Sequence, residues 1–165
     1  MFESELRRIF FRLKIDFPSN FHFGSDVVSN QDDYFVFFEG GFWVYMYCGR
    51  GLKKKLYESS RVDDIFVEVL SGYILDVAST WCGGLDGGSK FEDSRRCVFS
   101  RAIEIFFSLN VFWGEIYSER VNNILSIHPY DDFAVPRAEY IKGLHSMGES
   151  YEDAKKKAVD KYPLP

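Results

Sequence analysis

The chain has little of what most directly announces a chemistry. Its 165 residues include 3 cysteines and 3 histidines. Cys48, Cys82 and Cys97 are odd in number and lack Cys-x-x-Cys spacing. That usage favours buried free thiols over a disulfide framework or a zinc site. His22, His128 and His145 show no i,i+4 ligand spacing, so no metal or other cofactor is expected. No apolar run approaches the ~20 residues of a membrane span. The N-terminus, MFESELRRIFFRLK, carries acids where an export leader needs positive charge, and no small-residue cleavage site follows. The expected location is therefore the cytoplasm. Clustered positive charge is also scarce. Residues 1–61 carry 9 Lys+Arg and 8 Asp+Glu, whereas residues 62–165 carry 11 and 17, within a net charge of −5. An acidic C-terminal half suits phosphate backbones poorly and a basic protein partner better.

Aromatics, by contrast, are abundant: 17 Phe, 10 Tyr and 3 Trp within a hydrophobic fraction of 46% describe a folded chain, and the length fits one domain over residues 1–165. The richest stretch is Tyr34–Tyr57. Two apolar runs, Tyr34–Phe38 and Phe42–Cys48, flank Glu39-Gly40-Gly41, and Gly49-Arg50-Gly51 leads into Leu52–Tyr57. Aromatic and β-branched runs broken by glycines predict a three-stranded antiparallel meander. Phe35 and Phe37 point to one face, Tyr34, Val36 and Phe38 to the other, so both faces need cover. Lys53, Lys54 and Lys55 mark the third strand as a solvated edge.

Helical spacing predicts the rest. Phe2, Leu6, Ile9, Phe10 and Leu13 form one face of a first helix, which Asp16-Phe17-Pro18 should end. Ser60-Arg61-Val62-Asp63 has the spacing of a capping box ahead of a long helix running from Val62 to Trp81. Trp43 and Trp81 are expected in the core, joining that helix to the sheet. Cys82-Gly83-Gly84-Leu85-Asp86-Gly87-Gly88-Ser89-Lys90 has the glycine separation of a phosphate loop. However, Ser-Lys stands where Lys-Ser/Thr is required, and a helix precedes it. A loop ending at Ser89, capping a helix with Glu92, fits better. Asn110 should break that helix, His128-Pro129 should end the next, Pro136 should sit in a first turn, and Gly148 should close it. Ser150 with Asp153 should cap the last helix. The expected class is α+β: an N-terminal helix, the meander, then about five helices packed on the sheet.

Glu39-Gly40-Gly41-Phe42-Trp43-Val44, the turn at Arg50-Gly51, the long helix and the later Trp113…Ile127-His128-Pro129-Tyr130-Asp131-Asp132 together make a pattern over roughly residues 30–160. This pattern resembles immunity proteins of bacterial polymorphic-toxin systems, closest to those of contact-dependent growth inhibition. The resemblance implies a cytoplasmic protein without enzymatic activity that binds and neutralises one cognate toxin C-terminal domain, often a nuclease. It transfers no contact residue. From the residues themselves, the candidate toxin-binding set is Asp86, Tyr130, Asp131, Asp132, Glu149, Glu152 and Asp153. Loops and helix starts expose such residues, and carboxylates beside an aromatic can steer and anchor a basic partner. Turn and cap roles for Asp131, Asp132 and Asp153 compete with that assignment. Two other classes stand beside it. One is a small hydrolase using His128, Asp131 and Asp132, for which no nucleophile motif is present. The other is a nucleic-acid-binding module built on Arg50 and Lys53–Lys55.

Overall fold

The computed structural model describes residues 2–25, 32–83 and 92–165. It is α+β, with α1 (Phe2–Leu13), β1 (Phe21–Phe23), β2 (Asp33–Glu39), β3 (Phe42–Gly49), β4 (Leu52–Ser59), α2 (Val62–Gly83), α3 (Arg95–Leu109), α4 (Val111–Ile127), α5 (Ala134–Ser146) and α6 (Tyr151–Lys161). The class and the five helices after the sheet match the sequence expectation. The sheet does not: it has four strands in the order β1-β2-β3-β4, and β1 runs parallel to β2. A three-residue strand after Pro18 is too short to show a period, which is why the sequence hides it.

The meander itself forms about the expected glycine turns, with Phe38 opposite Trp43 and Gly49 opposite Leu52. Both hairpins turn through two residues of positive φ, Gly40-Gly41 at 60° and 89° and Arg50-Gly51 at 52° and 78°. These are the left-handed pairs that match strand twist in a two-residue loop. β4 is an edge, with Lys53, Lys54 and Lys55 exposed as expected. A bulge between Tyr45 and Met46 leaves Leu56 without a partner on β3.

The described residues divide into two compact units: Met1–Tyr73 with Phe106–Tyr117, and Ile74–Ile105 with Ser118–Pro165. In the first, α1 buries Phe2, Leu6, Ile9 and Phe10. Phe2 stacks on Trp43 at 5.2 Å and on Phe66 at 4.3 Å, and Phe66 stacks on Trp113 at 4.7 Å. The Trp113 indole donates to Asp63 at 2.6 Å, satisfying the polar end of a buried ring. Burial, with Tyr73, Tyr34 and Glu68 nearby, holds the Tyr45 hydroxyl well above the ordinary tyrosine range. Phe35, Phe37, Val44 and Cys48 form a second apolar cluster, with Met46 against it.

Several helix ends differ from the sequence expectation by a residue or more. α1 ends at Leu13, ahead of the Asp16-Phe17-Pro18 stop, because Lys14 adopts φ 57° while Lys14 N donates to Phe11 O and Ile15 N to Phe10 O. In the turn leading into α2 the Ser59 hydroxyl, not that of Ser60, accepts from Arg61 N at 3.1 Å and donates to Asp64. The first turn of α3 is capped by Asp93; the loop through Ser89 lies outside the described residues. Asn110 separates α3 from α4 and accepts from Phe112 N, as expected of a break that is also a cap. Gly148 (φ 94°) closes α5, and Ser150 caps α6 by accepting from Asp153 N, both as expected.

Two expectations are corrected. Trp43 is half-buried on Phe2, but Trp81 is 47% exposed, with the Arg101 guanidinium 4.6 Å from its ring. The apolar period that carries α2 inward does not extend to its last turn. Within the second unit α5 and α6 pack on each other. Finally, α2 is by length and composition long enough to cross a membrane, contrary to the sequence expectation. Its Ile65, Val67, Leu70, Ile74 and Ala78 are fully buried in the fold, as in the core helix of a globular domain.

Candidate functional site

The segment after α4 carries the motif Tyr130-Asp131-Asp132, and the structure surrounds it with arginines. Asp93 stands two residues before α3. Its carboxylate accepts from Arg95 N at 3.0 Å and Asp131 N at 2.9 Å, and from the Arg95 guanidinium at 2.6 Å. Arg95 reaches onward, donating to His128 O at 3.0 Å and Pro129 O at 2.8 Å, just beyond the C-terminal end of α4. A cation there complements the negative end of the helix dipole. Asp132 accepts from Asp93 N at 2.9 Å and pairs with Arg96 at 2.7 Å. The Tyr130 ring lies beside both guanidinium groups, 4.3 Å from that of Arg96 and 5.6 Å from that of Arg95.

Asp131 turns the other way. Its side chain accepts from Phe133 N ahead of α5 and pairs with Arg137, which is only 7% exposed. The Arg137 guanidinium also donates to Tyr162 O and Pro163 O at 3.3 Å, tying the start of α5 to the end of α6. The cluster therefore balances three carboxylates against three guanidiniums. Arg95 and the two backbone donors hold the Asp93 carboxyl well below the usual carboxylate range. Arg96 and Asp93 N lower that of Asp132.

This geometry changes the meaning of the sequence candidates. Tyr130, Asp131 and Asp132 are brought together, but the two carboxylates are satisfied internally and present no net negative surface. Glu149 is held by Lys157 at 2.8 Å, and Asp153 is engaged by the Ser150 cap. Glu152 is exposed on the first turn of α6. Among the described residues no hydrogen bond or ion pair joins this group to Tyr130–Asp132. Asp86 lies outside the described residues. His128 is exposed and its carbonyl accepts from Arg95; among the described residues no hydrogen bond joins its ring to Asp131 or Asp132.

Sequence reasoning missed Asp93, Arg95, Arg96 and Arg137. A signal existed in Asp93-Ser94-Arg95-Arg96, where an aspartate two residues ahead of paired arginines can cap a helix and bind them. Also missed was a cavity of about 610 Å³ in the first unit, with Phe2, Trp43, Val62 and Phe66 as walls and the paired Glu5 and Arg8 at its lining. No protein-family model, curated protein or solved structure matches the chain.

Proposed function

We propose that the protein is a non-enzymatic immunity protein that binds and neutralises a cognate toxin C-terminal domain, a nuclease by the resemblance, in the cytoplasm. The observation that carries the reading is the Tyr130 platform. It lies in the same His128–Asp132 segment that carries part of the family resemblance, and it presents a tyrosine ring beside two oriented guanidiniums. Tyrosine and arginine are the residue types most enriched among binding hot spots. Their mutual stacking, together with the Asp93 and Asp132 ion pairs, fixes the surface before a partner arrives and so reduces the ordering entropy of association. The acidic steering suggested by Asp131 and Asp132 gives way, in this reading, to contact through the ring and the outer edge of Arg96, whose Nε and Nη2 alone are held by Asp132.

An immunity gene should directly follow a large toxin gene, and co-expression with the C-terminal domain encoded by such a neighbour tests the proposal. The two proteins should copurify, and Tyr130→Ala should abolish copurification while leaving thermal unfolding unchanged. Copurification that survives Tyr130→Ala would move the contact elsewhere, with the aromatic cavity of the first unit as the next surface to mutate. Absence of any complex with the neighbouring toxin, or hydrolytic turnover lost on mutating His128, would refute the reading itself.

A further inference from the structure

We propose that the Cys82–Cys97 disulfide is a reducible clamp that controls the order of the Tyr130 platform. The sequence favoured three free thiols; the structure instead joins Cys82 to Cys97 with Cα atoms 6.1 Å apart and leaves only the buried Cys48 free. The bond ties the last turn of α2 to the first turn of α3 across a sequence separation of 15. Cys97 follows Arg95 and Arg96 directly, and it lies one helical turn beyond Asp93, whose carboxylate caps that same turn. The residues that hold Tyr130, Asp131 and Asp132 in place are therefore the residues the disulfide anchors.

Two kinds of lock thus act on one helix start. The ionic lock is made of Asp93, Arg95, Arg96 and Asp132; the covalent lock is the disulfide. Reduction transfers two electrons and two protons to the sulfurs, giving two thiols, while a thiol reductant of the glutathione class leaves as its own disulfide. Disulfides rarely persist against cytoplasmic thiols, so a chain working in that compartment meets conditions that open this one. With the covalent lock open, the first turn of α3 keeps only the ionic lock and its own backbone bonds, and the bonds from Asp131 N to the Asp93 carboxylate and from Asp93 N to the Asp132 carboxylate open more often. The consequence for toxin binding rests on the proposed role of Tyr130; the clamp itself does not.

The test uses the full chain and no partner. After unfolding without reductant, alkylation of the air-oxidised protein should label Cys48 alone, and labelling should reach all three cysteines after phosphine reduction. Amide exchange followed by NMR should then show Asp93 N and Asp131 N exchanging faster in the reduced protein. The expected increase is about ten- to a hundredfold, within the range for releasing a cross-link over a loop of this length. The Ser150–Asp153 cap amide and the β2–β3 ladder should not change. The Cys97→Ser variant should reproduce the reduced pattern. Three labelled cysteines in the oxidised protein, unchanged Asp131 exchange on reduction, or acceleration across the whole chain would each overturn the clamp. None of these results bears on whether a toxin is bound, and failure of the copurification experiment would leave the clamp untouched.

Discussion

Removing Asp131 should destabilise the protein, and removing its buried partner as well should restore part of the loss. Arg137 is 7% exposed and has three acceptors: the Asp131 carboxylate and the Tyr162 and Pro163 carbonyls. Asp131→Ala leaves that guanidinium buried with two carbonyls 3.3 Å away and no counter-charge. Breaking a buried pair from one side costs about 3–5 kcal/mol. The Asp131 side chain retains 24% exposure, through which water can partly compensate, so the low end applies. A loss of about 3 kcal/mol in a chain of this size lowers the melting temperature by about 6–12 °C. Arg137→Met removes the buried charge and keeps the volume, so it should cost less. The double variant should melt above Asp131→Ala alone, because it no longer buries an unpaired ion. Differential scanning calorimetry of the two single variants and the double measures the coupling directly. If Asp131→Ala melted within 2 °C of wild type, or the double variant melted below it, the account of Arg137 would be refuted. The same reasoning applies to Asp131→Lys with Asp132→Lys, which an exposed acidic surface would tolerate and which should destabilise this paired network.

Three further predictions follow from the helix ends and the core. Asp93 and Asp132 have folded-state pKa values lowered below their unfolded ones, so their stabilisation is complete above the ordinary carboxylate range and is lost as pH falls through the folded values. Asp93→Asn should therefore flatten the fall in melting temperature below about pH 5, and an unchanged acid slope would contradict the assignment. Lys14→Gly should raise stability by about 0.5–1 kcal/mol in urea unfolding, since lysine holds a left-handed position that glycine adopts without strain; no gain would mean that α1 ends differently in solution. Trp43→Ala should cost about 2–4 kcal/mol through its lost packing on Phe2 and Phe38. Trp81→Ala should cost under about 1 kcal/mol, because its ring is half exposed and loses mainly the Arg101 contact. Equal losses at the two tryptophans would reverse the correction made for Trp81.

Local chemistry was legible in the sequence wherever a structural choice depends on residues close together in the chain. Gly40-Gly41 and Arg50-Gly51 set both hairpins, because two-residue turns demand positive φ and alternating aromatics demand a pleated strand. Asn110, Gly148 and Ser150 marked helix ends for the same reason: each supplies, within a few residues, the cap or backbone freedom an end requires. Lys53–Lys55 likewise announced an edge strand. What remained hidden depends on residues far apart. β1 is defined by its pairing with β2 and not by any pattern of its own three residues. Cys82 and Cys97 look like unrelated thiols until α2 and α3 bring them together. Asp131 and Asp132 read as an acidic surface because a linear sequence counts charges without their partners. Only the tertiary structure set Arg137 from α5 and Arg96 from α3 against them, and in doing so converted an apparent net charge into a closed, neutral network around Tyr130.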